Sequence, residues 1–164
     1  MREFSLRLVF LLLTSLLSAC AGRPGPELLA QTAETLPGAK LTTVYVATTR
    51  KRDENGVYTS GRSREVSYIR YRISIPPGHK AGNVEWPKSK PNPKTDFVTV
   101  EQRLLDAATF EAEVTRKRNG KPPSVGVFVH GYNTNFTEAV YRIAQMTADA
   151  GVCLLYTSDA ADER

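Results

Sequence analysis

The stretch that decides the fold is Ser124-Val-Gly-Val-Phe-Val-His130, followed by Gly131-Tyr-Asn-Thr-Asn135 and Phe136-Thr-Glu-Ala139. Its first part is an almost unbroken apolar run, the pattern of a strand buried on both faces in a parallel sheet. Its last part predicts a helix beginning at Asn135, because Glu138 three residues later completes a capping box. The stretch therefore predicts a strand, loop and helix unit of a doubly wound α/β fold.

The predicted helix carries one apolar stripe. Ala139, Ile143, Met146 and Ala150 recur at helical spacing, so we expect them to face the core. Gly151 stands where helices commonly end, and an α/β pattern would next supply a hydrophobic strand.

Upstream residues predict an antiparallel pair of strands. Thr42 to Thr48 is β-branched and aromatic, which favours a strand, and Asn55-Gly56 is a turn signal. A half-buried strand is predicted from Glu65 to Ile75, and Pro76-Pro77-Gly78 ends it. The residues from Gly82 to Lys94 contain three prolines and predict a loop.

Two further elements precede the central stretch. Phe97 to Val100 predicts another short strand. Asp106 is expected to cap a helix from Ala107 to about Arg118, in which Phe110 and Val114 share a face.

The loop after the central strand contains the candidate site residues, His130, Gly131, Tyr132 and Asn133. Ligands of open α/β sheets bind just outside the carboxyl ends of the strands, where we expect this loop. A glycine there permits a steep turn, and the amides that follow lie at a helix N-terminus, which favours negative charge. Such a loop suits a developing oxyanion better than a metal ion, because its amides donate hydrogen bonds without titrating.

The loop and its flanks resemble the α/β-hydrolase superfamily, in particular a bacterial branch of esterase- and lipase-like proteins whose activity was long undefined. The resemblance lies in Val127-Phe-Val-His-Gly-Tyr-Asn133, Phe136-Thr-Glu-Ala139 and a helix containing Ala144-Gln145. Val44-Tyr-Val-Ala-Thr-Thr-Arg50 is similar to the opening strand of the family, so the likeness covers roughly residues 43–152. It implies the N-terminal part of an α/β-hydrolase fold, an incomplete and mostly parallel sheet with flanking helices.

The resemblance also implies an oxyanion hole in which the backbone amide of Tyr132 is one donor. The other donor would follow a serine on a Gly-x-Ser-x-Gly elbow, and the sequence contains no such elbow. We therefore expect the nucleophile, the acid and the base beyond this part of the chain, which alone is expected to be inactive. The implied reaction is hydrolysis of a small-molecule or lipid ester by a serine, without a cofactor.

The two histidines have less specific interpretations. His130 precedes any nucleophile and is expected to shape the loop, with a general base as the alternative. His79 lies beside Pro76-Pro77-Gly78 in a polar stretch and is expected to be solvated. With so few histidines and cysteines, no metal site is expected.

The N-terminus has the parts of an export signal. Arg2 and Arg7 precede an apolar run from Leu8 to Leu17, about half of the roughly 20 residues that a membrane-spanning helix needs. Cys20 follows Leu-Ser-Ala, which resembles the lipobox of bacterial lipoproteins. We expect residues 1–19 to be a lipoprotein signal peptide and a lipidated Cys20 to hold the protein to a membrane. An ordinary secretory signal with a coincidental cysteine is the alternative.

Residues 20–42 carry Pro and Gly without sustained periodicity, so they are expected to be a flexible tether. They would join the lipidated cysteine to a domain over residues 43–152. Ala21 is not the aspartate associated with inner-membrane retention, so we expect the outer membrane, facing the periplasm.

The C-terminal residues 153–164 have a different expected origin. Cys153-Leu-Leu-Tyr-Thr-Ser-Asp-Ala-Ala-Asp-Glu163 resembles the translation of a transposon-end adapter used in sequencing libraries. We therefore expect the native sequence to continue differently after about Val152. The alternative is a genuine, exposed acidic extension.

Composition limits the classes of function. The chain of 164 residues is 41% hydrophobic and 24% charged with a net charge of +5, which indicates a globular domain and neither a disordered chain nor a disulfide scaffold. Basic clusters at Arg50-Lys51-Arg52, Lys88 to Lys90 and Arg116-Lys117-Arg118 are expected to be solvated surface, because an exported protein does not routinely meet nucleic acid. The alternative function is a non-catalytic envelope lipoprotein that uses the hydrolase-like sheet as a binding module.

Overall fold

The computed structural model describes residues 23–32, 34–88, 90–117, 125–131, 133–151 and 153–157. These residues form a mixed β-sheet with a helix packed on each face. The strands are β1 (Lys40–Arg52), β2 (Tyr58–Ile75), β3 (Val98–Leu105), β4 (Val125–Val129) and β5 (Cys153–Thr157). The helices are α1 (Ala107–Val114) and α2 (Phe136–Ala150), and Pro26–Leu29 forms a short 3-10 turn.

The sheet combines a parallel and an antiparallel half, in the order β3-β2-β1-β5-β4. The β1–β2 and β2–β3 pairs are antiparallel, whereas the β1–β5 and β5–β4 pairs are parallel. The chain leaves β4, passes through α2 and returns as β5 between β4 and β1, so the carboxyl ends of these three strands share one edge. The predicted α/β fold is confirmed. The prediction of a mostly parallel sheet holds only for the half formed by β1, β5 and β4, because β1, β2 and β3 pair antiparallel.

The hairpin between β1 and β2 confirms the turn predicted at Asn55-Gly56. Gly56 has a φ of +82°, the left-handed region that glycine adopts without strain. The carboxylate of Asp53 accepts a hydrogen bond from the Val57 amide at 2.8 Å and thereby closes the turn. Pairing continues up to Arg52 and Tyr58, so both strands are longer than predicted.

Helix α2 begins as predicted. The Asn135 side chain accepts from the Glu138 amide at 2.8 Å, and the Glu138 carboxylate accepts from the Asn135 amide at 2.8 Å. This capping box satisfies two amides that the start of a helix otherwise leaves unpaired. The helix ends at Gly151, which has a φ of +65°. Its buried side chains share one core cluster with Val44, Val46, Ile69 and Ile73 of the sheet.

The apolar stripe predicted on α2 is right at its first two positions and wrong at its last two. Met146 is 38% exposed, and Ala150 is exposed. The buried face continues through Ala144, Thr147 and Ala148 instead. These residues lie to one side of the predicted stripe, because each residue advances about 100° around the helix.

Helix α1 covers the opposite face of the sheet. The ring of Phe110 packs against Tyr68 with centroids 4.8 Å apart and against the edge of Tyr45 at 6.0 Å. Asp106 caps the helix as predicted, accepting from the Thr109 amide at 2.8 Å.

Helix α1 is shorter than expected. It ends at Val114, and Thr115 forms its C-cap, whereas the predicted end lay near Arg118. The Thr115 hydroxyl donates to the Glu111 carbonyl at 2.7 Å, so a side chain occupies an acceptor at the last turn. Lys117 therefore lies beyond the helix and does not belong to its last turn.

Strand β4 corrects a central expectation, because it is not buried on both faces. Val125, Val127 and Val129 are 38%, 63% and 48% exposed. Phe128, on the other face, packs against the core. The strand order places β4 at the edge of the sheet, and α1 packs on β2, so no described element covers the three valines.

Residues 20–42 were expected to be a flexible tether, but those of them that the structure describes contact the domain. Leu29 in the 3-10 turn is only 5% exposed and joins the core cluster. The Asn135 side chain donates to the Pro24 carbonyl at 2.9 Å, which fastens this segment to the start of α2. Burial of leucine side chains favours docking over a free chain, so the packed unit begins near Pro24 and not at residue 43.

Of the two predicted terminal segments, the N-terminal one lies outside the described residues and the C-terminal one is described only in part. The signal peptide over residues 1–19 and Cys20 lie outside the described residues. Among the residues that are described, no helix has the length and apolar character to cross a membrane. Strand β5 falls within the segment expected to derive from an adapter, and its backbone pairs with β1 and β4. The origin of residues 153–164 stays a prediction.

Candidate functional site

Strand β4 and helix α2 place the predicted loop at the edge where the parallel strands end. The Thr134 amide donates to the Gly131 carbonyl at 3.1 Å, which closes a turn before the cap at Asn135. His130, Gly131 and Asn133 are described, whereas Tyr132, the expected oxyanion donor, lies outside the described residues. The described part of the loop thus lies where α/β sheets bind ligands.

Gly131 leaves open space above the loop. It is exposed, its φ lies outside the left-handed region, and a Cβ atom placed on it would meet no heavy atom of the described residues within 4 Å. This conformation of the turn is therefore also open to residues other than glycine. The glycine leaves room for another molecule to approach the backbone closely.

The His130 ring folds back onto its own loop. Its Nδ1 atom lies 2.8 Å from the Gly131 carbonyl oxygen. A carbonyl oxygen only accepts, so this nitrogen carries the proton and donates. The contact supports the predicted role in shaping the loop.

Arg50 joins β1 to the loop, which the sequence did not predict. Its Nη2 atom donates to the Thr134 carbonyl oxygen at 3.2 Å. The expectation that the cluster from Arg50 to Arg52 is only solvated surface is wrong for Arg50, which is half-buried. The available signal was its position at the carboxyl end of a strand, the edge where functional side chains gather.

The loop has a mixed electrostatic environment. The N-terminus of α2 and the guanidinium of Arg50 both favour an anion nearby. The carboxylate of Glu138 opposes them, although it is engaged with the Asn135 amide at 2.8 Å. The helix terminus and Arg50 thus give this part of the loop a local preference for negative charge.

Two cavities adjoin the first turn of α2. One of about 190 Å³ is lined by Phe136 together with Tyr58 and Tyr71. The other, of about 430 Å³, is lined by Glu138, Trp86 and residues of the N-terminal segment. The start of α2 therefore contacts both the candidate loop and two open clefts.

His79 forms a partly buried ionic contact that sequence reasoning missed. Its Nδ1 lies 2.7 Å from a carboxylate oxygen of Glu85, and its Nε2 lies 2.8 Å from one of Asp149. The side chain is only 12% exposed, and its ring contacts Phe97 at 5.1 Å between centroids. The expectation that His79 is solvated is therefore wrong. Its partners lie 6 and 70 residues away, so no local pattern indicates them.

The two carboxylates determine the charge of His79. Burial disfavours the imidazolium, but hydrogen bonds and charge from Glu85 and Asp149 outweigh it and raise the pKa of His79. The Gly82 amide and then His79 lower the pKa of Asp149. Asp149 lies at the opposite end of α2 from Asn135, roughly 20 Å away along the helix. The cluster thus fastens the loop after β2 to α2 and is not part of the candidate site.

The described residues contain no group of three or more His, Cys, Asp or Glu side chains arranged to hold a metal ion. The donors at the candidate loop are main-chain amides and one guanidinium. Both kinds of donor favour an anion.

The mixed sheet and the parallel crossover through α2 define an α/β fold. Residues 106–159, about a third of the chain, match the family model described as "Alpha/beta hydrolase of unknown function (DUF900)". The matched segment runs from the cap of α1 through the loop and α2 to just beyond β5, and supports the α/β-hydrolase superfamily. No curated protein and no solved structure matches the chain.

Proposed function

We propose that this chain is the N-terminal portion of an exported, lipid-anchored serine hydrolase that cleaves acyl esters. The observation that carries the proposal is the exposed loop between β4 and the capped helix α2. The loop lies at the ligand-binding edge of the sheet, inside the segment that matches a hydrolase family.

In this proposal the loop stabilises charge and performs no proton transfer. The Tyr132 amide donates to the oxygen of the tetrahedral intermediate, and the open space above Gly131 admits the acyl group. Loss of one such donor costs roughly 10²- to 10³-fold in rate. His130 holds the loop in shape through its contact with the Gly131 carbonyl.

The remaining machinery is proposed to lie outside this chain. The sequence holds no Gly-x-Ser-x-Gly, and in this superfamily the order is nucleophile, acid and then histidine, after the oxyanion loop. We propose that the native sequence departs from this one after about Val152. Cys-Leu-Leu-Tyr-Thr has sufficient strand propensity to pair between β4 and β1 whatever its origin.

The experiment is to recover the native DNA beyond codon 152 and to express the intact protein. We expect the next strand to be followed by a serine elbow and the intact protein to hydrolyse short-chain p-nitrophenyl esters. Replacement of the elbow serine by alanine should abolish this activity, and the present chain should have none. An intact protein with an elbow but no ester hydrolysis would limit the proposal to the fold.

The lipid anchor is proposed at Cys20. Because Pro24 already contacts the domain through Asn135, only three residues lie between the anchor and the packed unit, and Cys20 is about 14 Å at most from Pro24. The domain would therefore lie against the membrane surface. We expect the protein to fractionate with membranes and Cys20→Ser to release it after export. Membrane association that persists in this variant would exclude the anchor.

The alternative is a non-catalytic lipoprotein that binds a ligand with the same sheet. The cleft beside α2 favours it, since a cleft can bind a ligand without any nucleophile. The two proposals differ in the recovered sequence: an elbow serine supports the enzyme, and its absence supports the binding module.

A further inference from the structure

His79 joins the loop after β2 to helix α2 through both nitrogens of its ring. Its Nδ1 faces the Glu85 carboxylate of the same loop at 2.7 Å, and its Nε2 faces the Asp149 carboxylate of α2 at 2.8 Å. A carboxylate oxygen only accepts hydrogen bonds, so each of the two ring nitrogens has to donate a proton. The imidazolium has two N–H groups and the neutral ring has one. The geometry therefore fits the charged ring.

The basic residues of the elements packed here bind main-chain or loop atoms. Arg142 of α2 donates to a main-chain carbonyl of the loop at 3.3 Å, and Lys40 of β1 donates to a main-chain carbonyl near the end of α2 at 2.5 Å. Lys80 contributes its main-chain amide to the loop carboxylate at 3.1 Å. On the side of β3, the neighbour of His79 is the uncharged ring of Phe97. The two carboxylates are thus the charged partners of the imidazole.

Loss of one proton leaves a single N–H group for two carboxylates. Asp149 keeps two other donors in that state, the Gly82 amide at 2.8 Å and the side chain of Gln145. The Glu85 oxygen that faces His79 has no second donor among the described residues. The remaining proton is therefore best placed on Nδ1. A lone pair on Nε2 then faces a carboxylate oxygen, and this contact is repulsive.

We propose that His79 is a proton-dependent latch between the loop after β2 and helix α2. The imidazolium bridges Glu85 and Asp149, whereas the neutral ring stays on Glu85 and releases Asp149. The loop keeps its contacts to α2 through Gly82, but with one tie fewer it opens more often.

The latch supports one wall of a cleft. Trp86 and Pro87 follow Glu85 directly and line the cleft of about 430 Å³ beside the start of α2. The ring of Trp86 packs edge-on against Tyr141 of α2 at 5.7 Å between centroids. Protonation of His79 thus stabilises this wall, and the latch does not depend on ester hydrolysis.

The test is hydrogen–deuterium exchange of the full chain at about pH 6 and about pH 9, on either side of an elevated histidine pKa. Labelling times are scaled to the intrinsic exchange rate. We expect protection of residues 76–88 to fall about tenfold at the higher pH, the usual contribution of one hydrogen bond to a charged group. Residues 98–105 of β3 are the internal control and should change less, which separates local opening from global unfolding.

Matched variants assign the effect to His79. His79→Gln should give the loop equal protection at both pH values. Asp149→Asn should move the midpoint to lower pH, because one of the two charges that favour the imidazolium is lost. Glu54→Gln removes an exposed carboxylate from the β1–β2 turn and should preserve the midpoint. The proposal is overturned by equal protection of the wild type at both pH values, by a loss that persists in His79→Gln, or by a midpoint that Asp149→Asn leaves unmoved.

The tautomer of the neutral ring is an independent measurement. Nitrogen NMR of the labelled imidazole should place the proton of neutral His79 on Nδ1, with its signals identified by their loss in His79→Gln. A proton on Nε2 would mean that the ring keeps Asp149 and would overturn the proposed release. Neither measurement involves ester hydrolysis, so the latch and the proposed enzyme can fail separately.

Discussion

Arg50 Nη2 lies 3.2 Å from the main-chain oxygen of Thr134, which follows it by 84 residues. The contact links the strand at the centre of the sheet to the loop with the candidate site residues. A charged donor on a main-chain carbonyl is one of the stronger kinds of hydrogen bond, so the loop is held by more than its two ends.

The first prediction concerns this link. Arg50→Ala should lower the free energy of unfolding by about 1 kcal/mol, because the hydrogen bond is only partly buried. It should also accelerate amide hydrogen exchange in residues 130–135. Lys51→Ala, at an exposed neighbouring position, is the control and should change neither quantity appreciably. Equal effects of the two substitutions would contradict a specific role for Arg50.

The second prediction concerns pH. The folded protein raises the pKa of His79 above its ordinary value of 6.5, so its contribution to stability is complete below about pH 6.5. The contribution is lost as the pH rises through the raised pKa. The difference in unfolding free energy between wild type and His79→Gln should therefore shrink as the solution becomes alkaline.

Asp149 gives the opposite dependence. Its pKa is lowered from 3.8, so its contribution is present above that value and is lost as the pH falls through the lowered pKa. The stability of the wild type should thus decline at both extremes. Chemical denaturation of wild type, His79→Gln and Asp149→Asn across this range is the measurement. A His79→Gln penalty that is constant with pH would refute the charged contact.

The third prediction separates fold from function at Gly131. Its backbone lies outside the left-handed region and a Cβ would meet open space, so Gly131→Ala should leave the unfolding midpoint nearly unchanged. In the intact protein the added methyl should obstruct the approach of a substrate and reduce kcat/KM. A large loss of stability would show that the loop has another conformation, and unchanged kinetics would place the substrate elsewhere.

The fourth prediction follows from the exposed face of β4. Three exposed valines on an edge strand favour association, so this chain should be poorly soluble or lack a cooperative monomeric unfolding transition. Val127→Lys should increase the monomer fraction in light scattering. Leu104→Lys, at an exposed position on the opposite edge strand, is the control and should have a smaller effect. A wild-type monomer that unfolds cooperatively would contradict the prediction.

Local patterns predicted the elements that local chemistry determines. The capping box of Asn135 and Glu138, the cap at Asp106 and the turn at Gly56 each depend on residues within four positions of one another. Such signals are read directly from sequence, because the partners are fixed by the geometry of one turn.

The departures from prediction all depend on contacts between distant segments. The apolar run of β4 indicated a strand, but its burial depends on which elements cover it. The docking of Leu29, the two carboxylates on His79 and the reach of Arg50 join residues that are far apart in sequence. At the candidate site, the motif identified the loop, whereas the space above Gly131 required the backbone conformation.

The most direct test of the hydrolase proposal is labelling of the intact protein with a serine-reactive fluorophosphonate, followed by mass spectrometry of the modified peptide. The account predicts one labelled serine within a Gly-x-Ser-x-Gly on the strand that follows α2, and no labelling of the present chain. An intact reading frame that closes near codon 152, that continues without such an elbow, or whose product is not labelled would contradict it.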